Sequence, residues 1–291
     1  MEINSTVIDT PPRPAASLVM LRDGASGLEV FLLKRHGLSD VLGGAYVFPG
    51  GKLDAMDREL DPVAHLDLAP EALHQALGEP ETDLDTGVGL YVAALREAFE
   101  EAGVLLAERT GVELATRAQA LSRQGMAFDE VLAHMGLRLC TRQVVPWTRW
   151  ITPRVPSFAT KRFDTRFFVA AVPTGQVATH DNRETVESAW LSPRAALTQY
   201  WEREIALAPP QIMGLAHLSR HHDVASVLEE ARRRPPPLVQ PEPFDDDGMR
   251  VICYPGDERH TVSERALPGP TRLRHVQGRF EPFGGFDALF A

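Results

Sequence analysis

The predicted fold class is an α/β (α+β) sandwich, and three observations in the sequence predict it. Short apolar runs separated by turn residues indicate strands early in the chain. A helical apolar stripe then ends at a glycine, Gly103. Beyond it, apolar runs of strand length are mixed with further helical segments. The order of strands and helices is the pattern of a sheet covered by helices.

The composition is that of a globular protein with a sizeable core, with 291 residues of which 44% are hydrophobic and 24% charged. No apolar run approaches the ~20 residues that span a bilayer, and the N-terminus lacks the basic and apolar regions of a secretory signal. The two cysteines, Cys140 and Cys253, fit neither a disulfide framework nor a metal-binding spacing. We therefore expect a reduced, cytoplasmic protein without a membrane partner, and a homodimer is compatible with these features.

The charge is unevenly distributed. The net charge of −10 argues against a general nucleic-acid-binding protein, which usually has a basic face. Residues 58–87 hold eight acidic side chains against Arg58 alone, a net charge of −7. The rest of the chain can therefore still offer a local basic pocket to an anion.

The first hundred residues begin with a polar, proline-rich leader, residues 1–13. The runs AASLVML (15–21) and LEVFLLKR (28–35) flank turn residues and predict a β-hairpin. AYVFPGG (45–51) predicts a brief strand that stops at a Pro-Gly-Gly loop. Inside the acidic segment, APEALHQAL predicts a short helix that starts near Pro70.

Residues 88–102 are helical by periodicity. At about 100° per residue, seven apolar side chains lie within roughly 60° of one direction. These are Val88, Tyr91, Val92, Leu95, Ala98, Phe99 and Ala102. Glu97, Glu100 and Glu101 lie on the opposite side, and Gly103 fits the glycine that follows a helix end.

After this helix, residues 112–136 predict two helical pieces split near Gly125. PWTRWITP (146–153), RFDTRFFVAAV (162–172) and ESAWLSP (187–193) predict strands. Ser192 then has the position and chemistry of an N-cap for the next helix.

The last ninety residues begin with one further predicted helix, residues 209–233. The proline-rich PPPLVQPEP that follows could be a polyproline ligand, but a tether is the better interpretation. RVICYPG predicts a single strand beyond it.

The three glutamates occupy an unfavourable position. The C-terminal end of a helix carries partial negative charge, and carboxylates three or four residues apart repel each other. A run of charges on a helix is usually a solvated face. Here the run lies opposite an apolar stripe, follows Arg96 and has FPGG upstream, which favours a cation site instead.

These residues together resemble the Nudix hydrolase box, G-x5-E-x7-R-E-U-x-E-E-x-G-U, in which U is aliphatic. Gly51 begins the match, and the stretch 96–104, REAFEEAGV, ends it. Asp57 stands where the box has its first glutamate. Because 38 residues separate Asp57 from Arg96 instead of seven, the acidic segment 58–87 is an insertion of about 31 residues inside the box.

The insertion narrows the resemblance. FPGGKLDAMDREL, REAFEEAGVLL, WITP, RFDTRFF and APPQ resemble the nucleoside diphosphate-linked moiety X motif 19 branch, from about Ala15 to about His222. That branch is associated with coenzyme A and acyl-coenzyme A diphosphatases. A coenzyme A signature before the box is matched in part: Arg35 and GAYVF (44–48) fit, but Asp40 occupies its second arginine position.

This resemblance implies a Nudix fold, with a mixed sheet between helices. It implies a hydrolase domain over 14–205 that contains the insertion, with a C-terminal helix and extension over 206–291 packed on it. The implied activity is Mg²⁺- or Mn²⁺-dependent cleavage of the diphosphate bond in a nucleoside diphosphate linked to another group. The leading substrate is coenzyme A or an acyl-coenzyme A. The alternatives are an enzyme that hydrolyses ADP-ribose, NADH or another dinucleotide, and a non-catalytic nucleotide-binding regulator.

The resemblance also implies the site residues. Glu97, Glu100 and Glu101 are the expected metal ligands, since Mg²⁺ prefers carboxylate oxygens, and Arg96 is expected to orient one of them. The remaining motif positions are Gly50, Gly51, Asp57 and Gly103. For the general base, Glu184 and Glu187 both remain open.

Anion binding is assigned to the basic stretch RWITPRVPSFATKRFDTR together with one upstream arginine. The candidate substrate-binding residues are Arg35, Arg149, Lys161, Arg162 and Arg166. Three aromatic residues, Trp150, Phe158 and Phe163, could stack on an adenine, although core packing is the better interpretation for each.

A weaker pattern lies in the predicted C-terminal helix. The spacing of three histidines there, His217, His221 and His222, can bind zinc. The sequence shows no HExxH motif and no third ligand nearby. A surface or packing role is therefore the expectation for these histidines.

Overall fold

The computed structural model describes residues 6–37, 43–109, 111–155, 161–181 and 184–291. In this part of the chain, a mixed eight-stranded sheet lies between two helical layers, which confirms the predicted fold class. A smaller antiparallel sheet follows near the C-terminus. Within the described ranges, no helix combines the length and apolar character that crossing a membrane requires.

The elements of the described residues are bounded as follows. The strands of the main sheet are β1 (Arg13–Gly24), β2 (Gly27–Arg35), β3 (Tyr46–Val47), β4 (Gly50–Lys52), β5 (Val145–Ile151), β6 (Phe163–Ala171), β7 (Thr185–Leu191) and β8 (Leu238–Val239). The second sheet contains β9 (Glu242–Asp246), β10 (Met249–Cys253), β11 (Arg272–Val276) and β12 (Arg279–Pro282). The helices are α1 (Ala55–Glu59), α2 (Pro62–His65), α3 (Pro70–Leu77), α4 (Leu84–Ala102), α5 (Val112–Arg123), α6 (Phe128–Met135), α7 (Pro193–Trp201), α8 (Pro209–Leu218) and α9 (Val224–Arg233), with 3-10 turns at Thr141–Gln143 and Phe286–Phe290.

The main sheet has the strand order β3-β2-β1-β6-β5-β8. The predicted hairpin is confirmed, because β1 and β2 pair antiparallel. Ala15–Ser17 of β1 pair antiparallel with β4, and Arg13–Leu21 pair parallel with β6. β7 pairs with β2. The brief strand β4 therefore lies beside the centre of the sheet, which fixes the position of the loop that carries the glycines.

Strand alternation explains why both faces of the sheet are covered. Leu18 and Met20 of β1 belong to a core cluster shared with α3 to α6, whereas Val19 and Leu21 belong to a second cluster with α7, α8 and α9. Successive side chains of a strand point to opposite faces, so a strand with apolar residues at every position needs a layer on each side. The sheet is thus a central layer with a separate core on each face.

Helix α4 begins four residues earlier than predicted. The Asp83 side chain accepts a hydrogen bond from the Thr86 amide (2.8 Å) and caps the helix at Leu84, so the end of the acidic segment belongs to α4. The seven residues of the predicted apolar stripe are buried. At the other end, Gly103 has φ 69° and closes the helix.

The acidic segment is held against the sheet by ion pairs. Glu79 is buried and its carboxylate lies 2.5 Å from Arg166 Nη2 and 3.1 Å from Arg149 Nη1. Asp67 accepts hydrogen bonds from Thr141 Oγ1 (2.5 Å) and Arg142 Nε (2.7 Å). Part of the negative charge of this segment is therefore neutralised by specific partners.

The prediction of one continuous helix over 209–233 is wrong. It consists of α8 and α9, because Asp223 accepts a hydrogen bond from the Ser226 amide (2.7 Å) and starts a new helix there. The carbonyl of His222 accepts a hydrogen bond from the Leu28 amide, which ties the intervening turn to the hairpin. The three histidines consequently do not share one helix.

The C-terminal strand prediction is incomplete. RVICYPG contains β10, but β10 is one strand of a four-stranded antiparallel sheet, paired with β9 and β11. Its long-range partners come from segments without a strong apolar pattern. The proline-rich stretch leads through β8, which pairs parallel with β5, and so works as a connection between the two sheets.

We predict that Glu79→Ala destabilises the protein strongly, because it leaves the buried Arg166 guanidinium with fewer partners. Removing one side of a buried ion pair costs about 3–5 kcal/mol. The matched control is Glu81→Ala: this side chain is 62% exposed beside Arg149, and such a pair contributes about 1 kcal/mol or less. Urea unfolding of both variants checks the difference, and equal midpoints would contradict it.

Candidate active site

The glutamates at the end of α4 face the glycine loop of β4. The amide of Gly50 donates a hydrogen bond to Glu101 Oε2 (2.9 Å). A Cβ atom added to Gly51 would lie 2.3 Å from Glu97 Oε1, so the Glu97 carboxylate would have to move. A Cβ atom added to Gly50 would lie 2.5 Å from the Ala16 carbonyl oxygen and 2.7 Å from Ser17 Cα, backbone atoms of the paired strand β1. Glycine is therefore required at position 50, and glycine at 51 lets the backbone approach Glu97.

Arg96 is the centre of the cluster. It is 8% exposed, and its Nη1 atom lies 2.8 Å from Glu97 Oε1 and 3.1 Å from Glu100 Oε2. Nη2 also donates to the carbonyl of Lys52 (3.2 Å). Arg96 thus draws two of the three glutamates towards itself, whereas Glu101 turns to the glycine loop.

Asp57 holds the other side of the same guanidinium. Its two carboxylate oxygens accept hydrogen bonds from Arg96 Nε (2.8 Å) and Nη2 (2.9 Å), and the Asp54 amide donates to Asp57 as well. The side chain of Asp57 is 1% exposed. Sequence reasoning placed Asp57 in the box but did not predict that it binds Arg96. The signal that could have indicated this contact is the single arginine beside three acidic residues.

Burial decides the charge state of the glutamates. Burial raises the pKa of Glu97 to about 7, although Arg96 opposes the shift. Burial, followed by the charge of Glu97, raises the pKa of Glu101 to about 8, and burial also raises the pKa of Glu100. For Arg96, burial disfavours the charge, but hydrogen bonds to Asp57 and the charge of Glu97 raise its pKa. The cluster holds more negative charge than its arginine neutralises.

This donor set fits a divalent cation. Glu97, Glu100 and Glu101 supply hard carboxylate oxygens at a point where protons are otherwise retained, and Gly51 leaves the approach to Glu97 open. A cation would replace those protons and relieve the repulsion between the carboxylates. The three glutamates are therefore the residues that would hold it.

The two candidate bases lie in different surroundings. Glu184 lies 3.8 Å from Arg35 Nη2, and its charge contributes to the raised pKa of Glu97 and Glu101. Glu187 is bound instead to Lys34 (3.1 Å), and hydrogen bonds from Tyr46 and Lys34 lower its pKa. Of the two, Glu184 borders the cluster.

Arg35 is the basic residue nearest to the glutamates among the predicted anion-binding set. The positive charge of Arg35 partly offsets the increase in the pKa of Glu101, so Arg35 lies within electrostatic reach of that carboxylate. Its Nε atom is buried and has no hydrogen-bond partner in the described part of the chain. Asp40, at the second arginine position of the signature, lies outside the described residues.

Three other predicted anion-binding residues, all arginines, have protein partners. Arg149 and Arg166 are paired with Asp164 and with Glu79 of the insertion. Arg162 donates to the carbonyls of Thr152 and Thr10. Lys161 is exposed and follows residues 156–160, which the structure does not describe.

The aromatic candidates do not form a stacking platform in the described residues. Trp150 is buried and packs edge-on against Tyr254, with ring centroids 5.8 Å apart. Phe163 is half-buried at the start of β6. Phe158 lies outside the described residues. Core packing is thus the role of Trp150.

Comparison with known proteins identifies the family. A family model described as the NUDT19 Nudix domain matches residues 5–218. The chain belongs to the NUDT19 Nudix family. It is similar to acyl-coenzyme A diphosphatase NUDT19 of Homo sapiens, with 31% identity in a match that covers 80% of this chain and 72% of that protein. The protein of the same name from Xenopus laevis is 25% identical, in a match that covers 84% of this chain and 75% of that protein.

Solved structures agree with this assignment. A Nudix hydrolase from Alicyclobacillus acidocaldarius is 29% identical, with a TM-score of 0.62, and the match covers 76% of this chain and 97% of that one. The Nudix resemblance and its branch are therefore confirmed: the NUDT19-family chain is a Nudix hydrolase. Nudix hydrolases generally use divalent metal ions, in agreement with the donor set.

We predict that without metal the melting temperature depends on pH through Glu101. Between the usual glutamate pKa of 4.5 and about 8, the folded state keeps a proton that the unfolded state releases, so stability falls as pH rises. Glu101→Gln removes this contribution, so the free energy of unfolding should fall less steeply as pH rises. The difference in slope should be at most about 1.4 kcal/mol per pH unit. The exposed Glu59→Gln is the control; identical pH profiles for all three proteins would refute the expectation.

We also predict that millimolar Mg²⁺ raises the melting temperature of the wild-type chain, because the cation binds the folded state and relieves carboxylate repulsion. The increase should shrink in Glu100→Gln. Thermal scans with and without chelator measure it, and an unchanged wild-type transition would count against a metal site on α4.

Proposed function

We propose that this chain hydrolyses the diphosphate bond of coenzyme A or an acyl-coenzyme A, releasing 3′,5′-ADP and the (acyl-)4′-phosphopantetheine. The observation that carries the proposal is the Arg96–glutamate cluster facing the Gly50–Gly51 loop, in a chain similar to proteins named acyl-coenzyme A diphosphatase. The substrate is a nucleotide diphosphate, and the cofactor is Mg²⁺ or Mn²⁺.

Glu97, Glu100 and Glu101 are the proposed metal ligands. A bound divalent ion neutralises phosphate oxygens and polarises the phosphorus. Arg96 and Asp57 act as positioning residues: the bidentate contact fixes the guanidinium, which in turn orients Glu97 and Glu100. The Gly50 amide does the same for Glu101.

Glu184 is the proposed general base. It lies beside the cluster, its carboxylate is 68% exposed, and a residue that accepts a proton from water must be reachable by solvent. Arg35, next to Glu184, is the proposed contact for a substrate phosphate, since its buried Nε has no partner in the described residues. A phosphate there would also separate Arg35 from Glu184 and leave the base free to accept the proton.

The remaining basic candidates are treated separately. Arg149, Arg162 and Arg166 are left out of the proposed substrate site, because acidic side chains and backbone carbonyls already occupy their donors. Lys161, which is exposed, stays a prediction as a phosphate contact.

The alternative substrates are ADP-ribose, NADH or another dinucleotide. The observation that favours them is Asp40, an acid at a position where the coenzyme A signature has an arginine. A regulator without catalysis is disfavoured, because binding alone gives no reason to keep three repelling carboxylates around one buried arginine.

We predict that, with Mg²⁺ or Mn²⁺, the protein turns over coenzyme A and acyl-coenzyme A faster than ADP-ribose, NADH or nucleoside triphosphates. Glu100→Gln should lower kcat/KM by about 100-fold or more, because it removes a metal ligand. Product analysis by chromatography measures both. No turnover of any diphosphate would refute the enzymatic proposal, and faster turnover of ADP-ribose would refute the substrate.

A pair of variants tests the base within the same experiment. Glu184→Gln should lower kcat with little change in KM, since a base acts on the reaction and not on substrate binding. Glu187→Gln, three residues further along the chain but bound to Lys34, should keep the wild-type rate. Equal rates in the two variants would contradict the assignment of Glu184.

A further inference from the structure

Three side chains converge between α8 and α9, on the sheet face opposite to α4. His217 lies near the end of α8, His221 in the turn, and Glu230 on α9. His217 Nε2 is 2.9 Å from Glu230 Oε1 and 3.1 Å from Oε2, and His221 Nε2 is 2.7 Å from Oε2. The donor atoms of all three lie within 4.8 Å of one another. Each of the two imidazoles thus directs its Nε2 atom at the Glu230 carboxylate.

The tautomer of His221 follows from counting protons at Ser226. The Ser226 hydroxyl has a single proton, which it donates to the carbonyl of Asp223 (2.8 Å). Its oxygen, 3.2 Å from His221 Nδ1, must then accept the hydrogen bond from Nδ1–H. When Nδ1 carries the only ring proton, Nε2 presents a lone pair to the carboxylate, and the contact then needs a cation between the two atoms.

His217 has no such restraint. It is 2% exposed, and its Nδ1 atom is buried without a hydrogen-bond partner in the described part of the chain. No neighbour other than the Glu230 carboxylate determines which ring nitrogen carries the proton. The geometry therefore directs Nε2 of His217 at the Glu230 carboxylate, where it can act as a ligand.

The surroundings of Glu230 also suit a metal ligand. Hydrogen bonds to His217 and Arg234 lower its pKa to about 2, so it is a carboxylate at neutral pH. Arg234 Nε donates to Oε1 (2.9 Å), which leaves Oε2 directed at His221. Arg234 at Glu230 and Ser226 at His221 are the kind of outer contacts that orient metal ligands.

The spacing and chemistry suit a transition metal. A tetrahedral ion with bonds of about 2.0–2.1 Å keeps its ligand atoms about 3.3 Å apart, which is slightly more than the 2.7–3.1 Å between the imidazole nitrogens and the Glu230 oxygens and within the 4.8 Å that spans all three ligands. Two imidazole nitrogens and one carboxylate oxygen are typical ligands of Zn²⁺, unlike the all-carboxylate set on α4. His217 and Glu230 also line a cavity of about 750 Å³, which gives an ion a route in.

We propose that His217, His221 and Glu230 form a second metal site, separate from the glutamates of α4, that binds a divalent transition-metal ion with Zn²⁺ as the preferred one. The ion joins α8 to α9 across the Ser219–Asp223 turn. It lies between the two imidazole Nε2 atoms and the Glu230 carboxylate, and it leaves a coordination position towards the cavity.

The test is Zn²⁺ binding to the chelator-treated full-length chain in millimolar Mg²⁺, which occupies the carboxylate site on α4. Isothermal titration should give one Zn²⁺ per chain, and Co²⁺ in its place should give visible absorption bands. His221→Ala should weaken Zn²⁺ binding by about 100-fold or more and abolish the bands. Glu230→Gln, which keeps its shape, should weaken it similarly.

His222→Ala is the matched control. His222 is the adjacent residue, 83% exposed and paired with Asp223 instead of Glu230, so its loss should leave Zn²⁺ affinity unchanged. Thermal unfolding in chelator verifies that each variant is folded. Absence of a Zn²⁺ equivalent in the wild type, or equal affinities for His221→Ala and His222→Ala, would overturn the proposal and identify the cluster as a hydrogen-bonded imidazolium–carboxylate contact.

Discussion

The buried Arg96 guanidinium is the interaction on which the rest of the candidate site depends. A buried charge is costly unless its donors are satisfied, and Arg96 is satisfied by Asp57 on one side and by Glu97 and Glu100 on the other. Because Asp57 and Arg96 are 39 residues apart in sequence, the same contact joins the two ends of the insertion. The box can therefore be interrupted in the chain and remain continuous in space.

The insertion has its own anchors, and they change the interpretation of the basic residues around it. Glu79 reaches Arg166 and Arg149 on the sheet, and Asp67 reaches Arg142 beyond α6. An acidic segment of this composition would ordinarily be solvated. Here it occupies arginines that would otherwise be free for an anionic ligand, which leaves Arg35 as the predicted anion-binding residue within electrostatic reach of Glu101.

The two faces of the main sheet carry different polar chemistry. On the α4 face, carboxylates gather at a helix end where the backbone is already negative, and only a hard cation or retained protons can relieve that charge. On the other face, two histidines share one carboxylate between α8 and α9, with a serine and an arginine behind them. Each cluster is built at an element boundary, where a glycine or an N-cap aspartate turns the chain.

Local patterns in the sequence determined much of this protein. The alternation of apolar residues predicts the hairpin, the 3.6-residue period predicts most of α4, and the spacing of Arg96 and its glutamates predicts the family, because each depends only on residues close together in the chain. Tertiary structure alone decided the rest. Asp57 on Arg96 and Glu79 on Arg166 join residues 39 and 87 positions apart, and Glu230 reaches the histidines across the break between two helices. No local period encodes such contacts. The start of α4 and the break before α9 depended on aspartate caps, Asp83 and Asp223, whose side chains act only once the following turn has formed.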